Sequence, residues 1–185
     1  MDSVITIICA GVVGLSISRS CLKFSDKIYL IEKNNNFGLE NSSRNSEVIH
    51  SGIYYPINSL KSDLCISGRK MIYEYCDLNK VSHNKCGKLI IAQNLKEKND
   101  LINLRELAIK KGIKCDFFNE KAIKEQEPNI KAKYALFLPQ SGVIDSHGYM
   151  SALVNDIDDN VDIAYKTEVK KIKKIDQGYV LEIQN

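Results

Sequence analysis

The chain is short of several things, and each shortage closes off a class of function. Its 185 residues hold no apolar run of the about eighteen residues that a membrane-spanning helix needs. The opening Met1-Asp2-Ser3 places no basic stretch before an apolar segment, so no secretory leader is read there. The six cysteines (Cys9, Cys21, Cys65, Cys76, Cys86 and Cys115) form no CxxC pair. Structural zinc favours close-spaced pairs, and no metal site is expected. A formal charge of +3 is too small to argue for nucleic acid or a membrane surface as partner. Arginine is scarce beside lysine, and the abundance of Lys, Ile and Asn reads as codon bias in an AT-rich genome. What remains is ordinary for a globular protein: 44% hydrophobic and 26% charged residues. The thiols are expected to be free and buried in a reducing compartment, which makes the expected location cytoplasmic, at most peripheral to a membrane.

Periodicity supplies the elements. Residues 4–8 (VITII) form a short β-branched run, read as a strand buried on both faces of a parallel sheet. A turn follows through Gly11 and Gly14. Residues 13–24 have a helical pattern with Leu15, Ile17, Ser18, Cys21 and Leu22 on the packing face, and residues 27–32 (KIYLIE) form a second buried strand. Residues 59–80 make the longest helical segment, with an apolar stripe of Leu60, Leu64, Ile66, Met71, Ile72 and Tyr75. Residues 87–92 and 134–138 read as strands and 113–118 as strand-like. Residues 96–111 read as an amphipathic helix closed by Gly112. Asn119 can cap a short helix through Gln126, and Ser146 one running to about Ile157. Residues 161–175 are β-branched and lysine-rich, and Asp176-Gln177-Gly178 then turns into a last strand, a hairpin signal.

The first of these segments carry chemistry. A glycine-rich turn between a buried strand and a helix lets backbone N–H groups and the helix N-terminus meet a pyrophosphate. An acid ending the second strand then holds a ribose hydroxyl. Glu32 follows Gly14 at close to the expected spacing of about 20 residues. One position departs from G-x-G-x-x-G: the first is Cys9, where a side chain costs on the order of 1–2 kcal/mol if the backbone is left-handed. The residues alone leave open a nucleotide-free unit of the same shape. An NAD-dependent dehydrogenase is the weaker option, since nothing after Glu32 looks like a nicotinamide site. Among three histidines, His50 is the best candidate base, because it lies on the segment following the nucleotide box. His83 falls in a polar loop and reads as solvated; His147 reads as part of a helix start.

Three stretches resemble a known family: Gly11-Val12-Val13-Gly14-Leu15; Leu30-Ile31-Glu32-Lys33; and the run Ser42-Ser43-Arg44-Asn45-Ser46-Glu47-Val48-Ile49-His50-Ser51-Gly52-Ile53-Tyr54-Tyr55-Pro56. They look like the N-terminal part of the L-2-hydroxyglutarate dehydrogenase/oxidase family, within the FAD-dependent oxidoreductases of the D-amino-acid-oxidase type. Tyr73-Glu74-Tyr75-Cys76, Cys86-Gly87-Lys88-Leu89-Ile90 and the run from Ser141 to Tyr149 extend the match over essentially the whole chain. The resemblance implies an α/β fold: a Rossmann-like FAD-binding domain of glutathione-reductase type with an inserted α+β substrate domain, truncated at the C-terminus. Residues 1–80 and 146–185 would belong to the FAD domain and 81–145 to the substrate domain.

The resemblance also implies a reaction, in which a 2-hydroxy acid becomes a 2-oxo acid, hydride passes to FAD, and electrons go on to a quinone or oxygen. By position, Gly11 and Gly14 would face the pyrophosphate and Glu32 the adenosine ribose. Ser43, Arg44, Asn45 and Ser46 would lie along the FAD, His50 near its ring, and Val169 against the adenine. Arg44 or Lys88 could hold a substrate carboxylate, and Tyr54 could touch substrate. The family pattern continues beyond residue 185 with a strand that closes the nucleotide domain, so apolar sheet edges and faces are expected to be exposed. Two readings follow: a flavoenzyme needing a second polypeptide, or a non-catalytic remnant that does not bind FAD alone.

Overall fold

The computed structural model describes residues 4–184; Met1, Asp2 and Ser3, on which the leader argument rests, lie outside it. Strand β1 (Ile5–Ile8) runs into helix α1 (Val12–Cys21) and strand β2 (Ile28–Ile31). β1 and β2 pair in parallel, Ile5 opposite Ile28 through Ile8 opposite Ile31. After a 3-10 turn at Asn41–Ser43 come β3 (Val48–Ile49) and the long helix α2 (Leu60–Asn79), capped by Ser59 Oγ accepting from Ser62 N. Then follow β4 (His83–Asn84), β5 (Leu89–Ala92), α3 (Leu95–Lys110), β6 (Asp116–Asn119), α4 (Glu120–Gln126), β7 (Tyr134–Phe137) and β8 (Gly142–Ile144). The chain closes with α5 (Ser146–Asn155), β9 (Val161–Ala164) and the hairpin of β10 (Glu168–Ile175) and β11 (Gly178–Gln184).

These elements form two compact units. The first takes residues 1–46 and 145–185 and is built on a parallel sheet of order β1-β2-β9, with the β10–β11 hairpin. The second takes residues 47–144 and holds two antiparallel sheets, β3-β8-β4 and β5-β7-β6. Its core gathers Ile53, Ala92, Leu101, Ala108, Ile113, Leu136 and Leu138. The division falls at Ser46/Glu47, earlier than the boundary at residue 80 read from the sequence. The reason is local: β3 pairs with β8, and Arg69 of α2 donates to Ser51 O, so residues 47–80 are bonded into the second unit.

Several expectations are corrected. β1 is covered on one face only: Ile7 is buried, while Val4 and Ile8 are 55% and 40% exposed. Their face and the hairpin residues Ile172 and Leu181 line an open groove of about 1250 Å³. On α1 the buried residues are Gly14, Leu15 and Ser18, and Ile17 is exposed. On α2 the apolar stripe faces outward at Leu60, Leu64 and Met71, while Ser62, Arg69 and Cys76 point inward. The apolar run 161–175 breaks at Lys166, whose φ of 55° turns the chain between β9 and β10. Asp145, not Ser146, caps α5 by accepting from Gly148 N. Of the free thiols only Cys76 is fully buried, and Cys9 and Cys86 are exposed. Asn119 and Gly112 do perform the capping and chain-turning duties expected of them.

Leu136 is wholly buried at the centre of the second unit's sheet. Leu136→Ala is expected to cost about 2–5 kcal/mol through lost burial and a residual cavity. Urea unfolding measures it, and a midpoint equal to wild type contradicts the assignment of this core.

Candidate functional site

The turn after β1 is held from both strands. Cys9 N donates to Ile31 O at 2.8 Å, and Ala10 N donates to Glu32 Oε2 at 2.8 Å. Cys9 takes φ +85°, the left-handed region that a first-position glycine would occupy without strain. Gly11 caps α1, and a Cβ there would come within 2.9 Å of Ser42 Oγ. Gly14 is buried, and a Cβ on it would overlap the Cys9 carbonyl oxygen. Gly14 thus lets α1 pack against the end of β1, the part of the third glycine in such turns.

The first turn of α1 carries no acid, so its positive end is open to an anion. Val12 N donates to Ser42 Oγ at 3.0 Å, which stations a hydroxyl at the place a phosphate would approach. The sequence points to Ser43 through Ser46 rather than to Ser42. Ser43 Oγ donates to Glu40 O at 2.9 Å and Asn45 Nδ2 to Ser42 O at 2.8 Å, while Arg44 and Ser46 are exposed. Ser43 and Asn45 thus brace the turn that presents Ser42.

Glu32 ends β2 and is buried. Its Oε1 accepts from Asn34 N at 2.8 Å and Asn34 Nδ2 at 2.7 Å. Its own N–H donates to Ala164 O, and its carbonyl accepts from Thr167 N, both at 2.9 Å. A carboxylate offers about four lone-pair sites, and three are filled here, leaving capacity for a ribose hydroxyl. Cys9, Gly11, Glu32, Lys33, Asn34 and Ser42 line one cavity of about 550 Å³. A helix N-terminus, a hydroxyl and an acid around one cavity fit the diphosphate and ribose of a dinucleotide. Val169, half-buried on β10, is not among the residues lining this cavity.

The second group of expected residues lies in the second unit. His50, Tyr54 and Lys88 line a small cleft of about 240 Å³ with Tyr55 and the backbone of residues 51–53. Partial desolvation, and secondarily the charge of Lys88, push His50 below its ordinary 6.5. Desolvation pushes the Tyr54 phenol upward. Lys88 Nζ stands 5.5 Å from the centre of the Tyr54 ring, and Lys61 Nζ 4.5 Å from that of Tyr55. The other histidines are engaged elsewhere. His83 is not solvated: Nδ1 lies 2.9 Å from Val81 O and Nε2 3.4 Å from Asp77 Oδ1. His147 stacks on Phe37 in the first turn of α5. Among the described residues no cluster of His, Cys, Asp or Glu could hold a metal, and no helix is long and apolar enough to cross a membrane.

A parallel sheet with a glycine turn and strand-terminal acid, interrupted by an antiparallel α+β unit, defines the class as a dinucleotide-binding oxidoreductase fold. The model of the FAD dependent oxidoreductase family matches residues 5–184, and the chain belongs to that family. It is 38% identical over 149 residues to the mitochondrial L-2-hydroxyglutarate dehydrogenase of Arabidopsis thaliana, covering 80% of this chain and 31% of that protein. It is 37% identical over 173 residues to the Dictyostelium discoideum protein of the same name, covering 90% and 38%. Among solved structures, the FAD-bound L-alpha-glycerophosphate oxidase of Mycoplasma pneumoniae superposes with TM-score 0.90 at 26% identity, over 98% of this chain and 50% of that one. The chain thus spans less than half the length of the curated relatives it matches.

Cys9→Gly is expected to stabilise the protein by about 1 kcal/mol, since glycine adopts φ +85° without the Cβ penalty. Cys9→Ala, which keeps the Cβ, is expected to gain nothing. Urea unfolding of both variants checks this, and equal midpoints would contradict the strain at Cys9.

Proposed function

We propose that the chain is the FAD-proximal part of a 2-hydroxy-acid dehydrogenase of the L-2-hydroxyglutarate type. One observation carries the reading: residues 42–55 deliver Ser42 to the start of α1 and His50 with Tyr54 to a cleft shared with Lys88. The names of the relatives, at 37–38% identity, point the same way. Gly11, Ser42 and the amides opening α1 would hold the pyrophosphate of FAD, and Glu32 the adenosine ribose. Val169, at the start of the hairpin, would sit toward the adenine. Bound FAD supplies a hydride acceptor.

The remaining work belongs to the protein's own side chains. Lys88 pairs its ammonium with a carboxylate of the substrate. A ring nitrogen of His50 takes the proton of the 2-hydroxyl while the hydrogen on the same carbon departs with its electron pair, and the carbonyl forms. Because its pKa is lowered, His50 is neutral near pH 7 and ready to accept that proton. Tyr54 walls the cleft. The electrons would pass onward to a quinone or oxygen, at a cytoplasmic location or at the edge of a membrane.

A second reading is favoured by surface. The exposed Val4 and Ile8 on β1 and the outward stripe Leu60, Leu64 and Met71 on α2 are faces of the kind that further polypeptide covers. In that reading a second polypeptide completes the flavin site, and this chain alone holds FAD weakly or not at all.

The flavin spectrum separates the two. Chain purified with added FAD is expected to retain visible flavin absorbance through gel filtration; a colourless product contradicts autonomous binding and favours the completed form. In the flavin-loaded enzyme His50→Ala is expected to lower turnover of the 2-hydroxy acid by about 10²–10⁴-fold with flavin retained. Wild-type activity is expected to fall as pH drops through a midpoint below 6.5, because protonated His50 cannot act as base. Unchanged turnover in the variant refutes the assignment.

A further inference from the structure

Five carbonyls of the segment bearing His50 are turned toward three side chains on two helices. Cys65 Sγ on α2 stands 3.5 Å from His50 O, and Arg69 Nη1, one turn on, donates to Ser51 O at 3.1 Å. At the end of α3, Lys111 Nζ donates to Gly52 O and Ile53 O, both at 3.0 Å, and to Tyr55 O. An ammonium has three donors, and here all three end on carbonyls of one loop. Gly52 makes the convergence possible with φ +84°. Arg69 Nη2 also donates to Gln140 Oε1 at 3.1 Å, anchoring the guanidinium to the turn before β8.

Both cations are withdrawn from water. Arg69 is 8% exposed and Lys111 is half-buried, and burial lowers the pKa of each. Among the described residues neither forms an ion pair. A charge taken from water without a counter-charge is costly unless polar groups replace its hydration, and an apolar side chain would fill the same space more cheaply. The carbonyls are that replacement, so the arrangement fixes the loop by its backbone.

We propose that Lys111 and Arg69 are positioning residues that grip residues 50–55 by their carbonyls and thereby set the geometry of His50 and Tyr54 in the cleft shared with Lys88. The catalytic part of this statement rests on His50 being the base; the grip itself does not.

The test uses the full chain and two readouts that need no turnover. Lys111→Met keeps the aliphatic stem and removes the ammonium. Chymotryptic cleavage after Tyr54 is expected to rise about tenfold as local opening becomes easier. The His50 ring titration, followed by NMR, is expected to move upward toward 6.5 as desolvation is relieved. Added ammonium ion, a single nitrogen that fits the vacated place of Nζ, is expected to reverse both changes. Wild-type cleavage and an unmoved His50 titration in Lys111→Met overturn the proposal, as does a change that ammonium fails to reverse. Should Lys111→Met lose cooperative unfolding, Lys111→Arg, which keeps the charge, is expected to protect the bond after Tyr54 as wild type does; rapid cleavage in that variant overturns the proposal. An unchanged turnover in His50→Ala would sink the base assignment and leave these readouts intact.

Discussion

The nucleotide turn depends on one buried carboxylate. Glu32 accepts from the amide of Ala10 on one side and from the backbone and side chain of Asn34 on the other, while its own peptide group bonds to Ala164 and Thr167. The end of β1 and the loop after β2 are thereby fixed to its side chain, and β9 and the loop after it to its backbone. A carboxyl group this buried persists only if its oxygens are satisfied, and three N–H groups do so. With the turn pinned, Gly14 can lie against the Cys9 carbonyl, α1 can start where it does, and Ser42 can meet the first amide of that helix. Removing the carboxylate would free the N–H groups of Ala10 and Asn34 and leave the backbone bonds to Ala164 and Thr167 in place.

The second unit solves a similar problem with the opposite sign. The segment after β3 has no strand partner beyond Ile49, so its carbonyls need donors from elsewhere. Side chains of α2 and α3 supply them: Cys65, Arg69 and Lys111. This explains why α2 turns Ser62, Arg69 and Cys76 inward and leaves Leu60, Leu64 and Met71 outside. The helix is oriented by the polar demand of the loop at its side; Ile66 still reaches the core, while Leu60, Leu64 and Met71 are left exposed.

Part of this was legible in the sequence. Strand, turn, helix, second strand and terminal acid announce themselves by period and spacing, and Gly11 and Glu32, singled out by that pattern, line one cavity. The run through Tyr55 marked His50 and Tyr54, and the cleft brings them beside Lys88. The failures share a cause. Apolar periodicity says that a helix has a greasy face, but not that the face is covered; on α2 it is exposed. The packing role of Gly14 was not legible, because a glycine needed for close packing and one needed for phosphate approach look identical in sequence. Arg69 and Lys111 left no signal at all, because a side chain donating to backbone carbonyls imposes no partner residue type. His83, set among polar neighbours, read as solvated although Val81 O and Asp77 hold it.

The two units therefore share a constraint that is about charge more than size. In one, a carboxylate collects N–H groups; in the other, an ammonium and a guanidinium collect C=O groups. Each cluster tolerates little change of polarity, since an amide in place of Glu32 would aim N–H at N–H, and a neutral stem in place of Lys111 would leave three carbonyls facing one another. Cys9 is the contrasting case. Its φ of +85° is a strain of conformation alone, with no buried group depending on the side chain, and its exposed thiol stands at the mouth of the cavity that Glu32 organises. The backbone bonds at this turn, Cys9 N to Ile31 O and Ala10 N to Glu32 Oε2, are what hold the strained residue in place. The turn keeps its shape through Glu32 even where its first position has lost the glycine that the shape would favour.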